Sequence, residues 1–349
     1  MYLDHFGLQR LPFQVTPDPQ FYFDSAVHRR AMSTFAYGLN KGEGFVVVTG
    51  EVGAGKTTLI QFMLNRLDTD QIAVANVNTS QLGADSLIRY VARAFGCTLQ
   101  GSDKADALEA LRDRLVDLFD TGRLPLLIVD EVQALPEDSL EELRMLSNIQ
   151  AGGAPVLQIL LIGQPQFRKR LDDPNLEQLR QRVVASYHLT GLDETEVAAY
   201  VHHRLVEAGW DGRRIFDESA VAEICTATQG NPRQINRLCD RLMFNAFFAD
   251  QRGVTGEDVR DVLADMREEG LLPNAPAEAP GQPTSEPPAH DHGRDQASSG
   301  GDSGPGRPPA DGQDGHLKRE VGELRRLLAA HRTRMRRIAA LAEDDNRHG

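Results

Sequence analysis

The chain has 349 residues, 40% of them hydrophobic, and 51 acidic against 38 basic side chains give a formal net charge of −13. That length supplies enough apolar material for two globular units rather than a miniprotein. The acidity argues against broad non-specific attraction to nucleic acid or to an anionic membrane, and it favours protein partners.

Cys97, Cys225 and Cys239 form no Cys-x-x-Cys pair and read as buried thiols of a reducing compartment. The first residues show no basic region followed by an apolar core, and no 18-residue apolar run occurs anywhere. The expectation is a soluble, cytoplasmic protein.

Residues 1–24 carry Phe6, Pro12, Phe13, Pro17, Pro19, Phe21, Tyr22 and Phe23. Prolines at that density predict a compact extended arm rather than a helix. A helix is expected over 25–41, followed by the apolar strand Phe45-Val46-Val47-Val48-Thr49. The next run is Gly50-Glu51-Val52-Gly53-Ala54-Gly55-Lys56-Thr57, with Thr58 opening an apolar helix over 58–64.

A Gly, four free positions and Gly-Lys-Thr between a buried strand and a helix is the phosphate-loop pattern. Its glycines let the backbone curl so that successive N–H groups and the helix N-terminus face a phosphate chain. The ligand expected of residues 50–58 is ATP with Mg²⁺. Lys56 is expected at the β- and γ-phosphates and the Thr57 hydroxyl on Mg²⁺. The aromatic arm either covers the adenine ring or simply packs on the domain.

A second buried strand is predicted over 72–77 and helices over 84–95 and 104–119. Strand and helix keep alternating, as an α/β doubly wound sheet requires. The strand over 126–131 ends in Asp130 and Glu131. After a phosphate loop, Asp130 is assigned to the metal and Glu131 to the attacking water. The strand over 156–163 ends at Gln164-Pro165, where Gln164 either holds the water, senses the γ-phosphate or only forms the turn.

Arg180 and Arg182 precede a fifth strand over 184–189. One of them projects to the γ-phosphate held by a neighbouring subunit, or both serve a solvated face or an internal ion pair. From residue 192 the strands stop, and helices over 194–208, 217–229, 232–248 and 255–266 predict a small all-helical lid. In Gly230-Asn231-Pro232-Arg233 the arginine sits in the first turn of a helix with a proline start. Arg233 either folds back onto the phosphates or is structural.

Between Pro273 and His316 no Val, Ile, Leu, Met or aromatic residue occurs. Such a stretch is expected to be a disordered linker. His290-Asp291-His292 within it reads as chance rather than as a metal site. Leu317, Val321, Leu324, Leu328, His331, Met335 and Ile338 then alternate four and three apart, predicting a basic amphipathic helix. Its expected use is self-association or docking on a partner, with attachment to a membrane surface second. The predicted organisation is a nucleotide-binding domain with its arm over 1–190, the lid over 191–268, the linker over 269–316 and the helix, a possible coiled coil, over 317–342.

The phosphate loop, Asp130-Glu131, Gln164-Pro165, Arg182 and Gly230-Asn231-Pro232-Arg233 together resemble the AAA+ ATPases. Phe6-Gly7-Leu8, Pro12-Phe13, Pro17-Asp18-Pro19, Gly42-Glu43-Gly44-Phe45 and Glu142-Leu143-Arg144-Met145-Leu146-Ser147-Asn148 narrow the resemblance to bacterial secretion ATPases of the general secretion pathway protein A type. The run from Leu179 to Leu189 is similar to the subfamily linked to exosortase (PEP-CTERM) and exopolysaccharide loci. The resemblance covers residues 1 to about 266. It implies an oligomeric ATPase that powers or regulates secretion or envelope-polymer export at the inner face of the cytoplasmic membrane. The alternative is a nucleotide-dependent DNA-binding switch, because the similar transposition ATPases share the motor and bind DNA.

Overall fold

The structure, a computed structural model, describes residues 2–16, 18–65, 70–78, 83–99, 101 and 103–271. The linker beyond residue 271, His290-Asp291-His292 and the predicted helix over 317–342 lie outside the described residues.

Five parallel strands make the central sheet: β1 Phe45–Gly50, β2 Ile72–Asn78, β3 Leu124–Asp130, β6 Gln158–Gly163 and β7 Val183–Leu189. Between them β4 Gln150–Ala151 and β5 Ala154–Pro155 form a short antiparallel hairpin. The sheet order is β2-β3-β6-β1-β7. All residues of β1 and β6 are buried. Both sheet faces are therefore covered, which is why these strands read as unbroken apolar runs.

Alternate residues serve opposite faces. Phe45, Val47, Leu127, Val129, Ile159 and Leu161 pack under the helices Ala84–Ala94, Lys104–Asp120 and Glu137–Leu146. Val46, Val48, Leu126, Ile128, Leu160 and Ile162 pack under Ala26–Lys41 and Lys56–Leu64. The register sets Thr49 beside Gly163 and Val129 beside Leu161, so the carboxyl ends of β1, β3 and β6 lie next to one another. A switch point of this kind is where open α/β sheets place their ligands.

Several boundaries depart from the sequence reading. Tyr2–Phe6 is a one-turn helix, not extended chain, because the arm's prolines begin only at Pro12. β6 begins at Gln158 rather than 156, since the Val156 N–H donates to Ile149 O at 3.1 Å and so continues the hairpin. Among the described residues no helix is long and apolar enough to cross a membrane.

A third core lies in the helices Glu194–Glu207, Glu218–Thr228, Pro232–Phe248 and Gly256–Glu268. Chain order groups the arm with the sheet, but Phe6, Leu8, Phe13 and Phe21 pack in this helical core. Hydrogen bonds explain the route. Prolines leave a segment that cannot pair with itself, and its carbonyls need outside donors. Arg204 supplies two, with Nε donating to Pro12 O at 2.6 Å and Nη2 to Gln14 O at 2.9 Å. Asn236 Nδ2 donates to Gln14 O as well, at 3.2 Å.

Arg204 is only 6% exposed, and its guanidinium stacks 4.5 Å over the Phe21 ring. Replacing it with Met keeps much of the stem but strands the buried Pro12 carbonyl and leaves Gln14 O with Asn236 alone, at a cost of about 1–3 kcal/mol. Arg204→Met is expected to lower the urea midpoint accordingly and to open residues 10–20 to limited proteolysis. An unchanged cleavage pattern would mean that the apolar contacts alone hold the arm.

Candidate active site

Gly53 and Gly55 have φ of 86° and 92°, in the left-handed region that favours glycine. The chain can therefore turn back from β1 and enter the helix Lys56–Leu64 with Gly55 as its N-cap. The first backbone bond of that helix runs from Leu59 N to Gly55 O at 2.8 Å. The N–H groups of Lys56, Thr57 and Thr58 thus lack intrahelical acceptors and point out of the helix end. An anion is the natural partner for such a cluster.

Lys56 is 7% exposed, and its Nζ donates to Gly50 O at 2.7 Å and to Glu51 O at 2.9 Å. Burial pulls its pKa down, while the charges of Glu131, Asp130 and Glu51 pull it back up. Asp130 ends β3, and burial raises its carboxyl above the usual range. The neighbouring Glu131 charge adds to that rise, whereas the Glu131 N–H bond and Lys56 oppose it. That hydrogen bond runs from Glu131 N to Asp130 Oδ1 at 2.8 Å. Burial therefore disfavours the charge on both groups, and each supports the other's ionised form.

Glu131 itself adopts φ 54°, uncommon for a residue with a side chain. Its Oε2 accepts Gln133 Nε2 at 2.5 Å and Gln164 Nε2 at 3.2 Å. The tips of β3 and β6 are thus joined through side chains.

A cavity of about 350 Å³ opens over these groups. Val52, Gly53, Gly55, Lys56, Thr57, Thr58 and Glu131 form its floor, the arm residues Val15, Thr16, Tyr22 and Phe23 one wall, and Arg233 and Asn236 of the helical part another. Tyr22 stacks on Phe62 with ring centroids 3.6 Å apart, which fixes an aromatic surface beside the loop. A larger groove of about 740 Å³ lies wholly in the helical part, between Glu194–Glu207 and Glu218–Thr228, and shares no lining residue with this site.

The helix Pro232–Phe248 meets the phosphate loop end-on. Asn231 caps it, accepting from Arg233 N at 3.1 Å, and its Nδ2 donates to Val52 O at 3.0 Å. The Arg233 side chain lies exposed on the rim of the cavity.

Of the residues singled out in the sequence, Val52, Gly53, Gly55, Lys56, Thr57, Thr58, Glu131 and Arg233 line one cavity. Gly50 and Glu51 join it through their carbonyls on Lys56, Asp130 through the carboxyl end of β3, and Gln164 through Glu131. Ala54 is buried beneath the loop. Arg180 and Arg182 are not brought there. Arg182 lies at the start of β7, where its O accepts Phe45 N at 2.8 Å. Six residues of β1 separate that point from the phosphate loop, roughly 16 Å at strand spacing. Arg182 Nη1 donates to Ser147 Oγ at 3.2 Å, and Arg180 is half-exposed and paired with Glu177.

Sequence reasoning passed over His28, Gln133, Arg204 and Asn231. Only Asn231 carried a signal, as a capping residue directly before a helix-starting proline. The other three are placed by contacts distant in sequence.

His28 is 8% exposed and faces the loop. Its Nδ1 lies 3.1 Å from Ser25 Oγ and 3.3 Å from Phe23 O, while Nε2 makes no hydrogen bond and lies beside Gly55. Burial drives its pKa down to about 4, against the pull of the Phe23 and Ala54 carbonyls.

Residues 39–171 match the family model described as AAA domain. Two solved structures share the fold at low identity. The Aeropyrum pernix ORC2 protein has a TM-score of 0.54 and 18% identity over 76% of this chain and 75% of its own. Cdc6p from Pyrobaculum aerophilum has a TM-score of 0.55 and 16% identity over 74% and 75%. Together with the described site, these similarities define a AAA+ phosphate-loop fold with a helical C-terminal part. Within that class, the chain is similar to General secretion pathway protein A of Aeromonas hydrophila, at 36% identity over 263 residues that make up 74% of this chain and 47% of that protein. It therefore spans about half the length of that relative.

His28 gives the site a pH signature. Its folded value of about 4 lies below the ordinary 6.5, so between these values the unfolded chain takes up a proton that the folded pocket excludes. Stability is thus lost as pH falls from 6.5 toward 4. His28→Gln is expected to flatten that part of a melting-temperature profile. Identical profiles for the two proteins would contradict the assignment.

Proposed function

We propose that the protein binds ATP with Mg²⁺ and hydrolyses it, as one subunit of an oligomer that powers or regulates a bacterial secretion system. The exosortase-linked, exopolysaccharide-exporting kind is the reading favoured by the run from Leu179 to Leu189. The observation that carries the ATPase is the meeting of Lys56, Thr57, Glu131 and Arg233 around one cavity. The similarity to General secretion pathway protein A supports the secretion context.

The chemistry follows from the placement of each group. Helix-end N–H groups and the Lys56 ammonium bind the β- and γ-phosphates, and Lys56 leaves its two carbonyl acceptors to do so. The Glu131 carboxylate orients a water and takes its proton as the water oxygen bonds to the γ-phosphorus. The bond from that phosphorus to the β–γ bridging oxygen breaks, and its electrons leave on ADP. Gln164, bonded to Glu131, holds the same water or reads the γ-phosphate.

A hydroxyl and a carboxylate are the hard oxygen donors Mg²⁺ takes beside substrate phosphates, so the Thr57 hydroxyl and the Asp130 carboxylate fit that ion. Mg²⁺ supplies neutralisation of charge on the phosphate oxygens. Arg233 on the rim adds a cation from the helical part.

The position of Arg180 and Arg182 supports an oligomer. Neither reaches its own chain's loop, so either acts only on a nucleotide held by a neighbour, where a planar cation stabilises transition-state charge. The basic residues 317–342 attach this motor to its export partner or to the inner face of the cytoplasmic membrane.

Lys56→Ala is expected to weaken ATP binding at least tenfold, the scale of losing about 1.4 kcal/mol or more of a charged contact. Glu131→Gln is expected to leave affinity within about twofold and to stop turnover, because it acts only on the water. Calorimetry and phosphate release separate the two; equal loss of affinity in both would defeat the division of roles.

Mixing Arg182→Ala chains with Lys56→Ala chains is expected to recover part of the lost rate, since one lesion spoils the donor edge and the other the pocket. Failure to recover with either the Arg182 or the Arg180 variant, together with a rate per subunit independent of concentration, would mean that each chain completes its own site.

A further inference from the structure

Gln133 is the polar residue that neither the phosphate-loop pattern nor the Asp130-Glu131 pair accounts for. It sits half-buried in the 3-10 turn Val132–Ala134 that follows Glu131. Both ends of its amide are engaged. Nε2 donates to Glu131 Oε2 at 2.5 Å, and Oε1 accepts the Gln164 N–H at 2.9 Å. Gln164 Nε2 donates to the same Glu131 oxygen at 3.2 Å. The three residues close a ring of hydrogen bonds between the tips of β3 and β6.

Three further features hold that ring in place. The backbone of Gln133 is pinned from outside, because Arg170 Nη1 donates at 2.9 Å to Gln133 O and at 2.9 Å to Leu135 O. The last residue of β6 is a glycine that leaves room for the ring: a Cβ on Gly163 would stand 2.8 Å from Gln133 Oε1 and 2.8 Å from Val132 Cγ1, and would push the Gln133 amide aside. The left-handed turn at Glu131, costly for a residue with a side chain, is kept in spite of its strain.

We infer that Gln133 is a positioning residue for the Glu131 carboxylate and couples it to the tip of β6. The inference rests on Glu131 being the group that acts on water. With two amide donors on Oε2, the carboxylate is fixed in one rotamer and presents Oε1 to the reacting water. The same amide ties Glu131 to the Gln164 backbone. A shift of Gln164 against the γ-phosphate then moves the Gln133 side chain, and with it the carboxylate. Gln133 needs no contact with nucleotide, so its removal acts on turnover and not on affinity.

Two substitutions divide this role from simple support of the β6 tip. Gln133→Glu is isosteric and keeps an acceptor for the Gln164 N–H, but it replaces the donor to Glu131 with a like charge. Gln133→Met keeps the length of the side chain and removes both bonds. The measurement is kcat for ATP together with ATP affinity, with Glu131→Gln as the reference.

Both Gln133 variants are expected to lose kcat on the order of 10–100-fold, with affinity within about twofold of wild type. If Gln133→Glu keeps kcat within about twofold while Gln133→Met loses it, Gln133 only supports the β6 tip and the inference falls. Wild-type kcat in Gln133→Met, or loss of affinity in step with kcat, overturns it as well. Turnover that survives in Glu131→Gln overturns the reading of Glu131 instead, a result distinct from any of these.

Discussion

The structure depends on a close approach between the phosphate loop and the end of the helix Pro232–Phe248. At Gly53 a Cβ would stand 2.4 Å from Arg233 Cβ and 2.9 Å from Asn231 Oδ1, so no larger residue fits. The left-handed φ at Gly53 excludes side chains for a second reason. In the space so freed, the Arg233 N–H donates to Gly53 O at 3.3 Å and Asn231 to Val52 O at 3.0 Å. One cavity then has a floor from the sheet and walls from the helical part and the arm. Within the helical part, Leu192 N donates to Gly230 O at 2.9 Å and fixes the turn that leads into that helix. Sheet and helical part are held at two adjoining carbonyls, those of Val52 and Gly53, so neither can shift without disturbing the loop.

The charged groups of the site gain from this closure and are limited by it. Burial disfavours the ammonium of Lys56 and the carboxylate of Asp130 alike, and the opposite charge of each opposes that penalty. Because Lys56 is buried, an anion that reaches its ammonium meets little competition from water, which strengthens that contact. Glu131 stands apart, because its carboxylate is satisfied by neutral amides instead of by a cation.

Much of this was legible in the sequence, for identifiable reasons. Buried parallel strands are nearly pure apolar runs, so β1, β2, β3 and β6 stood out, and the phosphate loop is local because its chemistry is local. Pro232 fixed the start of its helix to the residue. What failed to show was whatever depends on contacts distant in sequence. The arm has the composition of a loop, and nothing in it says that Phe6, Phe13 and Phe21 pack with helices nearly 200 residues later. Gln133 looked like any surface glutamine, since its importance lies in the tip of β6 that the register brings beside it. Arg180 and Arg182 suit several uses by sequence alone, and only their place at the far end of β7 sets them apart from the site.

If one nucleotide site is built jointly from the sheet, the helical part and the arm, binding must be felt in all three. Amide hydrogen exchange, with and without ATP and Mg²⁺ on a chain carrying Glu131→Gln, measures this directly. Slowed exchange is expected together in residues 50–58, 230–236 and 12–16. Slowing confined to residues 50–58 would contradict the account, because the helical part and the arm would then be bystanders to the nucleotide.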